Sequence, residues 1–196
     1  MVKKITKIKI LAQYINNYGR KYYLRELGAL LKKPHQTIKP YVEILVKEGI
    51  LNKEVRKSIV EYELNFRNKI VYDYLVIAEK ERLMEKIEEE TLLKILYEKL
   101  FLHFGDNTFL IFGSSVNKIE KGSDIDLLIV GRVNVYRIIN EFQEVHNKKI
   151  HKVQISNFNK LTPTLIKEIY KKHLILNNTE QIIRFFGGQY EQNKLV

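Results

Sequence analysis

The stretch Thr108-Phe109-Leu110-Ile111-Phe112-Gly113-Ser114, followed after nine residues by Asp124-Ile125-Asp126-Leu127-Leu128-Ile129-Val130, organises this chain. Both pieces contain short apolar runs, as buried strands do. The first runs into a Gly-Ser pair, and the second carries two carboxylates. Asp124 and Asp126 stand at i and i+2, so a strand aims both at one face. Two carboxylates on one face of an apolar strand repel each other, and a divalent cation is the usual reason for such a pair. Mg²⁺ takes oxygen ligands and keeps room for water and substrate phosphate. Gly113 allows close backbone approach. Ser114 offers a hydroxyl and an N–H to a phosphate at an adjoining helix start. The plainer reading is a solvated strand end with two ordinary surface carboxylates.

Toward the C-terminus, residues 135–146 read as a helix and residues 149–156 as the next strand. Glu141 and Glu144 fall on the solvent side of that helix. Thr162 is placed to cap a helix that continues through Lys172, with Pro163 at its first position. His173 to Leu176 reads as a short strand. Thr179 to Phe186 reads as a last amphipathic helix, stopped by Gly187-Gly188, with a frayed polar tail beyond.

Toward the N-terminus, residues 67–104 form a helical connector with no Pro or Gly. Its apolar positions are Ile70, Val71, Tyr74, Leu75, Ala78, Leu83, Met84, Ile87, Leu92, Leu93, Ile95, Leu96 and Leu100. Glu88-Glu89-Glu90 interrupts them, and Thr91 is placed to cap a second helix. The connector is a spacer, a dimerisation helix pair or the first helix of the next domain.

Residues 1–66 read as three helices and a β-hairpin. Ile5, Ile8, Leu11, Ala12 and Ile15 have helical spacing up to Gly19. Leu24, Leu27, Leu30 and Leu31 mark a second, short helix, broken at Pro34. Ile38, Val42, Leu45 and Val46 mark a third, stopped by Gly49. Pro40 leaves the start of that helix open by a few residues. Val60, Tyr62 and Leu64 alternate with Glu61 and Glu63, and Ile50-Leu51 can pair with them across a turn at Arg56-Lys57-Ser58. Lys33, His35, Gln36, Thr37, Lys39 and Tyr41 fall on or beside the outward first turns of the third helix. Gln reads adenine, while Thr and Lys hold phosphate or base edges. Lys53, Arg56 and Lys57 sit at the hairpin, within reach of backbone phosphate.

Charge separates the two ends. The chain has 196 residues and a net charge of +11. Residues 1–66 hold 14 Lys or Arg against 6 Asp or Glu, so +8 of the excess lies in the first third. An even solvating coat would have put about a third of it there, and an anionic partner for the N-terminal module is the better account. The absence of Cys excludes disulfides, thiolate zinc sites and Cys nucleophiles. No apolar run is long enough for a membrane span, and the Lys-rich N-terminus is not a signal peptide. The sequence predicts a cytoplasmic protein with no membrane partner.

Two resemblances follow. The order strand, Gly-Ser, nine residues, Asp-x-Asp, strand resembles the signature of the minimal nucleotidyltransferases of the DNA polymerase beta superfamily, over about residues 90–196. The N-terminal stretch resembles a winged helix-turn-helix, a companion domain of archaeal members. Together they imply an α+β chain: a winged helix-turn-helix at 1–66, the helical connector at 67–104, and a nucleotidyltransferase-like α/β domain with a small mixed sheet at 105–196. The first resemblance implies that Gly113 and Ser114 hold a nucleoside triphosphate, with Ser123 beside them. It also implies that Asp124 and Asp126 hold Mg²⁺ as the catalytic pair. Lys118 and Lys121, in the intervening loop, can supplement the charge. There are two departures. Ser115-Val116-Asn117 stands where the family often has an Arg. The third carboxylate of active members is also missing, because no Asp or Glu occurs from Val145 to Lys167. Gln154 or His151 takes its place, and a neutral His can act as a base.

The expected function is that of a DNA-binding protein whose nucleotidyltransferase-fold domain binds Mg²⁺-nucleotide and transfers AMP to an acceptor. The resemblance extends to antitoxins that adenylylate a partner toxin, which makes a protein hydroxyl the expected acceptor. The alternative is a catalytically inactive transcription regulator that acts by DNA binding alone, as a homodimer on a two-fold duplex site. A third reading is a pure protein-interaction module.

Overall fold

A computed structural model describes residues 6–56, 59–120 and 122–195. Among the described residues the fold is α+β, with eight α-helices and two small sheets. The chain divides into two compact units: Met1–Glu79 with Ile183–Lys194 and Val196, and Lys80–Ile182 with Leu195.

In the first unit, α1 (Lys7–Leu11) is capped by Thr6, whose hydroxyl accepts from Lys9 N, and runs into a 3₁₀ turn at Ala12–Tyr14. Ile10, Leu11, Tyr14, Ile15 and Tyr18 are buried. The expected inward positions Ile8 and Ala12 are only half-buried, and Ile5 lies outside the described residues. Tyrosine moves the stripe. The Tyr14 hydroxyl donates to Tyr62 O at 2.9 Å, so a polar group that argues against burial is satisfied inside. A two-residue strand follows, β1 (Tyr22–Tyr23), then α2 (Leu24–Leu30) and α3 (His35–Lys47). Ile38, Val42 and Leu45 face inward from α3 at spacings of four and three.

Pro34 is the N-cap of α3, so Pro40 lies inside the helix, where it cannot donate to the preceding turn. Gly49, with φ of +68°, ends the run. Next come β2 (Leu51–Arg56) and β3 (Ile59–Leu64), with Leu51 opposite Leu64 and Arg56 opposite Ile59. β1 pairs with the other edge of β3, giving the order β1-β3-β2.

The connector forms α4 (Ile70–Glu89) and α5 (Thr91–Phe101). Asn68 caps the first by accepting from Ile70 N. Glu90 is the N-cap of the second, so Thr91 begins that helix instead of capping it. Val71, Leu75, Ala78 and Leu83 face inward, but Ile70 and Met84 are exposed. The helical period carries those two off the buried stripe.

The second unit holds β4 (Thr108–Phe112), β5 (Ile125–Val130), α6 (Tyr136–His146), β6 (Ile150–Ile155), α7 (Pro163–Lys171) and β7 (His173–Ile175). The strand order is β6-β5-β4-β7. β5 and β6 are parallel, joined by α6, and the other pairs are antiparallel. Phe109, Ile111, Ile125, Leu127 and Ile129 cluster with Leu93, Leu96 and Leu100 of α5 and Ile139 and Phe142 of α6. Thr162 caps α7 by accepting from Leu165 N, with Pro163 behind it, as its sequence predicts.

The last helix, α8 (Thr179–Glu191), runs straight through Gly187-Gly188 and does not stop at them. Gly187 is a contact surface: a β-carbon there would lie 2.2 Å from Cε1 of Tyr72. Nor is the tail wholly loose, since Leu195 is buried. Among the described residues no helix is long and apolar enough to cross a membrane.

Candidate functional site

The end of β4 and the beginnings of β5 and β6 meet along one edge of the second unit's sheet. Gly113 leaves β4 with φ of +73° and ψ of −148°, backbone that essentially only glycine adopts. Asp126 pairs with Phe112 of β4 on one side and His151 of β6 on the other. Its side chain leans over Gly113, and a β-carbon there would stand 2.6 Å from Oδ2. Asp124 precedes β5 by one residue, so the strand begins later than its sequence suggests. Ile125 N still donates to Lys149 O, which keeps Asp124 level with Lys149. The Asp124 and Asp126 side chains are 46% and 27% exposed, accessible to a ligand on the face opposite the apolar cluster.

Each carboxylate has a basic neighbour on or immediately before β6. Lys149 Nζ lies 3.5 Å from Asp124 Oδ2, and His151 Nδ1 lies 3.3 Å from Asp126 Oδ1. His151, not Gln154, therefore stands beside Asp126. Gln154 donates to Gly131 O and Val133 O and pins the loop after β5.

The remaining predicted residues divide. Ser114 is exposed and begins a 3₁₀ turn of three residues, not a full helix. The Ser123 hydroxyl donates to Glu120 O and accepts from Lys148 Nζ, so it is engaged inside its own loop. Lys118 is exposed, and Lys121 lies outside the described residues.

Lys148 and Lys149 had no place in the sequence reading. The signal that could have found them is topological: a helix between two adjacent strands makes them parallel, which brings the start of β6 level with the start of β5. Lys148 is buried and donates to Glu120 O at 2.5 Å. A cleft of about 520 Å³ opens here, lined by Gly122, Ser123, Asp124, Gln143, Asn147, Lys148 and Lys149. Among the described residues no three His, Asp or Glu gather as a metal cage. Two accessible carboxylates fit Mg²⁺ that arrives with phosphates and water as its other ligands.

In the first unit, Gln36, Thr37 and Lys39 are exposed on the opening turns of α3, with Lys33, His35 and Tyr41 half-buried around them. Lys39 lies 3.7 Å from Glu43 one turn on. Lys53 is exposed on β2, and Lys57 lies outside the described residues. Arg56, expected to meet phosphate, is already engaged: its Nε lies 2.8 Å from Glu54 and 3.8 Å from Glu61. Lys21 joins the same network through Glu54 and Glu63. Hydrogen bonds from Lys21 and Arg56 hold the Glu54 carboxyl down at about 2.

Residues 106–181 match the family described as polymerase beta, nucleotidyltransferase. The matched segment contains β4, β5, β6 and both aspartates. No curated protein matches the chain, and no solved structure does.

Proposed function

We propose that the protein binds double-stranded DNA through its first unit and, through its second, binds Mg²⁺ with a nucleoside triphosphate and transfers AMP to an acceptor. The observation that carries the second half is Asp126 leaning over Gly113 at the sheet edge, with Asp124 beside it, inside the segment that matches the nucleotidyltransferase family. Asp124 and Asp126 would hold Mg²⁺, which neutralises phosphate oxygens and stabilises charge at the attacked phosphorus. Gly113 leaves room for the Asp126 carboxylate against the strand end, and Ser114 is exposed beside it to meet a phosphate. The acceptor hydroxyl oxygen bonds to the α-phosphorus, pyrophosphate leaves, and the hydroxyl proton passes to solvent. A protein hydroxyl is the acceptor, by analogy with the adenylylating antitoxins the motif resembles.

The first half rests on the order α1, β1, α2, α3, β2-β3, which fits a winged helix-turn-helix with α3 as its recognition helix. The +8 on residues 1–66 supports it. A homodimer on a two-fold site, in the cytoplasm, follows from that reading.

The test is incubation with labelled ATP, Mg²⁺ and cell extract. Wild type labels a protein band that an Asp124→Ala/Asp126→Ala variant does not, and equal labelling by the two sinks the transfer claim. Duplex binding is read separately, by fluorescence anisotropy across a salt series.

A second reading is an inactive regulator. His151 favours it, because it meets Asp126 on the strand where the motif's relatives carry a carboxylate. Under it, DNA binding persists in Asp126→Ala and no label is transferred by any form.

A further inference from the structure

Lys148 and Lys149 are chain neighbours with opposite surroundings. Lys148 is buried, and Glu120 O and Ser123 Oγ hold its Nζ, so it clasps the loop in front of Asp124. The Lys149 side chain is 73% exposed and touches Asp124 at 3.5 Å. An exposed ion pair of that length is weak and readily exchanged. Parallel pairing of β5 and β6 fixes Lys149 level with Asp124, so the contact comes from the sheet register. The cleft at this point, about 520 Å³, is within the usual range for a small-molecule site. Besides the two lysines it offers the amides of Gln143 and Asn147 and a single carboxylate, Asp124.

Any polyphosphate brought to Asp124 must therefore come within the sweep of the Lys149 ammonium. We propose that Lys149 is a phosphate-binding residue for the nucleotide and, before the nucleotide arrives, a placeholder for the metal. This rests on the nucleotide-binding reading above. With no ligand, the ammonium offsets the charge of Asp124 and eases its repulsion with Asp126. When Mg²⁺ and nucleotide bind together, the cation takes the carboxylate and the ammonium turns to the phosphates. Coulomb attraction rises on both sides of the exchange, because a doubly charged ion replaces a singly charged one at Asp124 and a polyanion replaces a monoanion at Lys149.

The proposal gives two effects of opposite sign from one substitution. Removing the ammonium weakens nucleotide binding and strengthens binding of the bare metal. The experiment uses the full chain and two probes: a fluorescent ATP analogue with Mg²⁺, and Mn²⁺ alone followed by electron paramagnetic resonance. Lys149→Ala is expected to lose roughly tenfold in nucleotide affinity, the size of a charge-assisted contact. It is also expected to bind Mn²⁺ several-fold more tightly. Lys149→Arg retains nucleotide affinity near the wild-type value. Lys152→Ala, which removes the same charge three residues further on, within β6, leaves both values unchanged. Nucleotide affinity in Lys149→Ala equal to wild type overturns the proposal, as does unchanged Mn²⁺ affinity. Wild type that binds no nucleotide overturns the parent reading and this one with it, which is a different result from a wild type that binds and a variant that binds equally well.

Discussion

The carboxylate of Asp126 fills the space where a side chain on Gly113 would begin, with Oδ2 2.6 Å from the ideal β-carbon position. Gly113 directly follows β4 and Asp126 lies on its antiparallel neighbour β5, and the pairing of Phe112 with Asp126 sets them side by side. Gly113→Ala thus meets two penalties, a disallowed backbone conformation and a contact with a carboxylate. We expect a loss of about 1–3 kcal/mol in urea unfolding. Nucleotide binding should fall as well, because Asp126 must turn away. Full stability with intact binding would show that the strand end relaxes freely.

Gly187 and Gly188 are adjacent in α8 and should respond oppositely. A β-carbon on Gly187 strikes the Tyr72 ring, whereas one on Gly188 meets nothing within 4 Å. Gly187→Ala is expected to destabilise by about 1–3 kcal/mol through overpacking. Gly188→Ala is expected to stabilise by about 0.5–1 kcal/mol, since alanine suits a helix interior better. Thermal melts of the two variants decide it, and equal shifts would contradict the packing described.

Stability should fall in alkali. Burial, followed by the neighbouring Glu191 carboxylate, pushes the Tyr72 hydroxyl from 10.0 up to about 12. The unfolded chain releases this proton near pH 10 and the folded chain keeps it, so the contribution is complete below pH 10 and is lost as pH rises through 12. Tyr14, Tyr22, Tyr62 and Tyr190 are raised too, chiefly by burial, and act in the same direction. Urea midpoints at pH 9 and pH 11 should drop for wild type and drop less for Tyr72→Phe. Parallel drops would exclude Tyr72 as a source.

Two cations on the first unit should contribute unequally to DNA binding. Lys39 is paired only loosely, at 3.7 Å from Glu43, whereas Arg56 is held by Glu54 at 2.8 Å. Lys39→Ala should weaken duplex binding across sequences and reduce the salt slope by about one ion. Arg56→Ala should do less, because its charge is already spent within the hairpin. If Arg56→Ala is the more damaging, the hairpin network must open on binding.

Much of this was legible in the residue order. The strands at Thr108–Phe112 and Ile125–Val130 declare themselves because each is a short apolar run with polar breaks on both sides. The two aspartates are legible for the same local reason. What the sequence hid is non-local. β1 is two residues long and exists only because β3 offers it an edge. The glycines of α8 look like a stop until Tyr72 is seen against one of them. Lys149 looks like one lysine among many until the parallel register brings it to Asp124. His151 was narrowed from two candidates only by which face of β6 each residue occupies.

The first unit takes its last pieces from far along the chain. Tyr190 stacks on Phe66 at 5.1 Å and meets Tyr18 at 6.1 Å, and Glu191 accepts from both Lys69 and Tyr72. Domains made on the ribosome generally fold in order as they emerge. Here that order is broken. The segment with α3 is synthesised first, yet it lacks part of its aromatic core until residues 183–194 have followed residues 80–182 out of the exit tunnel. A nascent chain therefore carries an incomplete first unit throughout synthesis of the second, and the two reach their finished form together.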